Sequence, residues 1–198
     1  MMTMKRLVAS VACVVTLALL TVACGDEEMS VPDGKKAAQQ SRRPVAEAYW
    51  QVYQSIGAKM MQGSRGIGRF GECSGSDGKA SVRYQINNSL FDENSNEPGT
   101  QFVARLRAKL ANSKWKLEPK GENLYAKKIG GAQVKFQLLH QPSGHSAIVA
   151  LLFGSGCISV GKAKSEILDA YKGQASDEYD FSDASAAPIP SGFPESDN

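Results

Sequence analysis

The side chains whose type and setting most directly imply chemistry in this 198-residue chain are four cysteines, Cys13, Cys24, Cys73 and Cys157. A thiolate is the side-chain nucleophile most readily alkylated near neutral pH. Cys24 stands at a sharp boundary. Residues 1–6 are basic through Lys5 and Arg6, residues 7–23 are an apolar run without charge or proline, and Asp26, Glu27 and Glu28 follow at once. A short basic start followed by such a run is the order of an export signal. The run is 17 residues long, at the lower limit for a helix crossing a ~30 Å hydrocarbon core, so a permanent transmembrane anchor is the second reading.

Leu20-Thr21-Val22-Ala23-Cys24-Gly25 resembles a lipobox, the motif in which a small residue precedes a cysteine that receives a diacylglycerol thioether. Ala23 and Cys24 match the pattern; Thr21 occupies the position where leucine is commonest. The resemblance implies that residues 1–23 are removed, that Cys24 carries lipid, and that the rest is held at the extracytoplasmic face of the cell membrane. An ordinary cleaved signal or an uncleaved anchor is the alternative. Two acyl chains, at ~0.8 kcal/mol per buried methylene, hold a domain to a bilayer where a single chain does not.

The remaining cysteines partition around that event. Cys13 leaves with the signal, and Cys73 and Cys157 stay as an even pair in an exported chain, where disulfides persist. Such a bridge closes a loop of about 85 residues and stabilises the fold by on the order of 4 kcal/mol in the chain-entropy picture. Gly154-Ser155-Gly156-Cys157 could instead present a nucleophilic thiol, but an unpaired exposed thiol outside the cell oxidises. Export also changes the charge. The chain has 23 basic and 20 acidic residues, and loss of residues 1–23 removes Lys5 and Arg6 but no acid, which leaves a net charge of +1. A near-neutral chain has no electrostatic reason to bind nucleic acid.

Other patterns are weaker. Gly66-Ile67-Gly68-Arg69-Phe70-Gly71 fits G-x-G-x-x-G, but a dinucleotide site needs a strand before it and a helix after it; here a helix precedes and a cysteine loop follows, so a glycine-rich connector is expected. His140 and His145 flank a turn with no carboxylate or thiol near in sequence, too few ligands for a zinc site. His145-Ser146 lacks the G-x-S-x-G elbow of a hydrolase. Tyr49, Trp50 and Tyr53 cluster on one helix, where packing competes with a ligand-facing patch. Lys109, Lys114, Lys116, Lys120, Lys127 and Lys128 read as a solvated face or one that meets anionic polymer. No catalytic set assembles, and neither a metal nor a cofactor is expected.

The elements that must position these residues follow from periodicity. Residues 24–41 are polar and aperiodic, a flexible tether. Val45, Ala48, Tyr49, Val52, Ile56 and Met60 recur at three and four, predicting a helix over 44–62 opened by Pro44. Residues 63–78 hold six glycines and read as a loop. Ala80, Val82, Tyr84 and Ile86 alternate with polar residues as a half-buried strand, and Phe102, Val103, Leu106 and Leu110 mark a second helix. From Trp115 onward, turn signals at 119–123, 130–131 and 141–145 divide a meander of four strands. A short helix over 165–172 precedes an acidic, proline-containing segment from 173 to 198, expected to be disordered.

The domain is therefore expected over 42–172 as an α+β two-layer sandwich, two helices on one face of an antiparallel sheet of about five strands. The lipobox, the tether, Cys73 before a tyrosine-containing strand, Trp115 on a strand after a helix, and a last strand closing in Ser155-Gly156-Cys157 give a layout that resembles small uncharacterised lipoproteins of actinobacteria. That resemblance implies no activity and brings no catalytic residues. The expected role is a non-enzymatic binding or interaction module of the cell envelope, with an envelope ligand or protein as partner; a small extracytoplasmic enzyme or enzyme accessory is the alternative.

Overall fold

The computed structural model describes residues 29–56, 65–74, 79–91, 99–111, 116–120, 123–127, 132–139, 148–180 and 187–194. Cys24, Trp115, His140 and His145 lie outside them, as do Lys114 and Lys128.

The first helix, α1 (Val31–Ile56), opens earlier than its apolar stripe suggested. Ser30 accepts from the Asp33 backbone N–H at 3.4 Å and donates to the Asp33 carboxylate at 2.6 Å, and Pro32 sits in the first turn, so an N-cap, a proline and an acid all mark the start. The helix then runs through Pro44, which forfeits one intrahelical bond to the carbonyl of Gln40, an exposed residue. What sustains it is continuous burial of Gly34, Ala38, Arg42, Val45, Tyr49, Val52 and Ile56, a three-and-four stripe that includes an arginine. The tether expected over 24–41 therefore extends no further than residue 30. Polarity hid the first half of the helix because Arg42 is buried.

The residues expected to form a glycine-rich loop are largely strand β1 (Gly66–Ser74). β2 (Ala80–Phe91) follows, then α2 (Gly99–Ala111), β3 (Lys116–Lys120), β4 (Asn123–Lys127), β5 (Gln133–Leu139), β6 (Ile148–Gly154), β7 (Ile158–Ser159), a 3-10 turn over Gly161–Ala163, α3 (Lys164–Asp169) and β8 (Asp177–Tyr179). The antiparallel sheet has the order β3-β4-β5-β6-β2-β1-β8, with β7 also paired to β2. The α+β sandwich and the hairpin meander β3 to β6 stand as expected. β1, β7 and β8 enlarge the sheet beyond the expected five strands.

One face of the sheet carries the core. Phe70 of β1, Val82, Tyr84 and Ile86 of β2, Val134 of β5, and Val149, Leu151 and Phe153 of β6 meet Val45, Tyr49, Val52 and Ile56 of α1 and Leu106 and Leu110 of α2. Ile167 of α3 and Val160 and Ala163 of the turn before it close one end of this core. Gly34 lets α1 approach the backbone of Val160, where a Cβ would collide with a carbonyl.

Candidate functional site

Among the described residues, a cluster of polar side chains lies inside the domain. Arg42 is fully buried on α1, with its guanidinium 4.6 Å from the Phe193 ring centroid, 5.4 Å from that of Phe70, 5.7 Å from that of Tyr84 and 5.8 Å from that of Tyr171. A guanidinium attracts the negative faces of such rings and is less strongly hydrated than an ammonium, so it tolerates this site better than lysine. Its Nη1 donates to the Gly192 carbonyl and its Nη2 to the Tyr171 hydroxyl. Nε lies 3.4 Å from Oδ2 of Asp177, as an ion pair without hydrogen-bond geometry.

Asp177 organises the tyrosines. Its Oδ2 accepts from Tyr84 at 2.5 Å and from Tyr171 at 2.9 Å. The Tyr84 proton is committed to that carboxylate, so Tyr179, 2.8 Å away, donates to the Tyr84 oxygen. Nearby, Asn88 donates to the Tyr49 hydroxyl. Burial pushes the phenols of Tyr49, Tyr84, Tyr171 and Tyr179 well above the ordinary tyrosine range, and the Asp177 charge adds to the rise at Tyr84, Tyr171 and Tyr179. These phenols stay protonated at physiological pH; Tyr84, Tyr171 and Tyr179 donate within the cluster, and the Tyr49 oxygen accepts from Asn88.

The segment expected to be a disordered acidic tail from 173 supplies part of this cluster. β8 pairs with β1 in the register Gly66 with Tyr179 and Gly68 with Asp177. Residues 187–194 then pack Ile189 and Phe193 against the core and place the Gly192 carbonyl on Arg42. The composition of the segment is polar overall, but Tyr179, Ile189 and Phe193 are enough apolar surface to dock it, and Asp177 finds a partner inside.

The G-x-G-x-x-G residues serve the same interior. They form a strand, where neither a phosphate loop nor the expected connector is found. On its inward face, a Cβ at Gly66 would strike the Tyr49 ring and one at Gly68 the Tyr84 hydroxyl, so both glycines are seats for tyrosines. Gly68→Ala is therefore expected to destabilise the domain by about 2–3 kcal/mol, at the upper end of ordinary overpacking, because Tyr84 cannot retreat without breaking its bond to Asp177. Gly71→Ala, with nothing within 4 Å of its Cβ, should cost less than 1 kcal/mol by comparison. Thermal denaturation of the two variants gives the contrast; equal losses would show that Gly68 is not a seat.

The second constellation is on the outer face. Cys73 and Cys157 are joined, Cα to Cα 5.7 Å. Ser81 of β2 pairs with Cys73 on one side and with Ser159 of β7 on the other, so the bridge crosses β2. β6 and β7 are one strand interrupted by a bulge: Gly154 faces Gln85 and Ile158 faces Val82, so 155–157 oppose only Arg83 and Tyr84. Ser155 secures the bulge, its N–H donating to the Tyr84 carbonyl at 2.9 Å and its hydroxyl oxygen accepting from the Tyr84 N–H at 3.0 Å. The extra residue turns Cys157 out to solvent. Arg83, on the crossed strand, brings Nη2 to 3.3 Å from Cys73 Sγ and 3.8 Å from Cys157 Sγ.

Of the other sequence candidates, Trp50 and Tyr53 stack at 5.6 Å with 12° between their planes, and both are half-buried against the core edge, the packing use. Lys109 is exposed on α2, while Lys116, Lys120 and Lys127 lie on β3 and β4. Among the described residues, no three His, Cys, Asp or Glu side chains converge as a metal site, and no helix is long and apolar enough to cross a membrane. Sequence reasoning missed Arg42, Asp177, Tyr171 and Tyr179; the usable signal was Arg42 in phase with the apolar stripe of α1. No protein-family model, curated protein or solved structure matches this chain.

Proposed function

We propose that this protein is a lipoprotein of the cell envelope, anchored through a diacylglyceryl group on Cys24 and presenting a non-enzymatic binding or interaction module at the extracytoplasmic face. The observation that carries the reading is the order of residues 1–28: a basic start, 17 uncharged residues, Ala23-Cys24, then acids. Two features of the domain support it. α1 begins at Val31, so the six residues from 25 to 30 allow at most roughly 20 Å between the anchor and the domain; the module would sit close to the headgroups. Among the described residues, the Arg42–Asp177–tyrosine cluster is turned inward, bonded to itself and covered by residues 187–194, which suits a scaffold better than a catalytic centre.

Membrane partition tests the anchor. The wild-type chain should fractionate with membranes, and mass spectrometry should find an N-terminal peptide that begins at acylated Cys24. Cys24→Ala should abolish acylation and either release the domain or stall the precursor. A mature N-terminus at another residue would overturn the proposal.

A further inference from the structure

We propose that the Cys73–Cys157 disulfide is a thiol-exchange site, attacked at Cys157 by a small-molecule thiol and assisted by Arg83, which stabilises the Cys73 thiolate that departs. The two sulfurs differ in access. Cys157 is exposed at the bulge, whereas Cys73 is only 7 % exposed at the end of β1, so an incoming thiolate meets Cys157 first. Displacement at one sulfur of a disulfide expels the other. The sulfur expelled here is the one closer to the guanidinium, at 3.3 Å.

That placement matters because the lower the pKa of the departing thiol, the faster it leaves, and an adjacent cation lowers a cysteine pKa. Arginine keeps its charge at every accessible pH. The bulge frees Cys157 from strand pairing without loss of fold: Ser155 ties the bulge to Tyr84, while β6 and β7 hold their own pairings with β2 on either side. Arg83 is exposed, and its position on the strand crossed by the bridge serves no core contact.

The exchange balances as follows. An external thiolate forms a bond to Cys157 Sγ, the Sγ–Sγ bond breaks, and its electron pair leaves on Cys73 Sγ beside Arg83. A second thiolate attacks the external sulfur of the mixed disulfide, which forms the oxidised small-molecule disulfide and releases Cys157 as a thiolate that takes a proton from water. Two external thiols are oxidised and the protein disulfide is reduced; the reverse sequence closes it. This is a property of the folded domain and stands or falls independently of lipid at Cys24.

The test is reaction of the full chain, purified in detergent, with reduced glutathione, acid quenching and peptide mapping. Glutathione is expected on Cys157 with Cys73 free. Reduction should slow roughly three- to tenfold in Arg83→Gln, as the leaving thiol returns toward its ordinary pKa, and should stay near the wild-type rate in Arg83→Lys. Unchanged circular dichroism would confirm that neither exposed substitution alters the fold. Glutathione on Cys73, or an Arg83→Gln rate equal to wild type, would overturn the proposal.

Discussion

Arg42→Leu is expected to lower the unfolding free energy by about 3–5 kcal/mol, which is a large part of the 5–15 kcal/mol that holds a domain of ordinary size together. The substitution keeps an apolar stem in the stripe of α1 but leaves Asp177 as a buried carboxylate without its cation, and strips donors from Tyr171 and the Gly192 carbonyl. Asp177→Asn should be less damaging. The amide oxygen still accepts from Tyr84 and Tyr171, and the Arg42 charge remains among four aromatic rings. Urea midpoints at constant m-value measure both. If Arg42→Leu lost less than about 1 kcal/mol, a surface-like value, the guanidinium would have to be solvated.

Alkali should unfold the protein in one cooperative step, with stability falling from just above pH 10 and structure lost about a pH unit or more higher. Burial raises the phenol pKa of Tyr49, Tyr84, Tyr171 and Tyr179 in the folded state, whereas in the unfolded chain each ionises near pH 10. The unfolded state therefore releases protons that the folded state retains. Stability from these groups is fully present below the unfolded pKa and is lost as pH rises from it toward the folded pKa. Each group contributes a slope of ~1.4 kcal/mol per pH unit, so the four together remove roughly 5 kcal/mol per unit once all are ionised in the unfolded chain. Tyrosinate absorbance and far-ultraviolet circular dichroism, followed from pH 9 to 12, should show ionisation of these four phenols coinciding with loss of structure. Their ionisation in a chain that keeps its dichroism would place them at the surface.

Burial and pairing at the two ends of the domain show why some elements were legible and others were not. Alternation of Val82, Tyr84 and Ile86 was enough to find β2, and turn residues separated β3 to β6, because those signals are complete within a few residues of chain. The glycines of β1 break a strand pattern in isolation. In the folded protein their missing side chains are filled by tyrosines from α1 and β2. The first half of α1 escapes local periodicity for a related reason: an arginine counts as surface until an acid and four rings are known to surround it.

The amino-acid sequence by itself determined the α+β class and the pairing of Cys73 with Cys157, since these rest on local period and an even cysteine count. Only the tertiary structure decided that Arg42 is buried, that 187–194 covers it and that Arg83 lies against the disulfide. The partners explain the difference. Arg42 is 129 residues from Tyr171 and 150 from Gly192, and Arg83 is 74 from Cys157. The environment that makes a charge tolerable inside a protein, or places one beside a sulfur, is assembled by folding from segments that no local window joins.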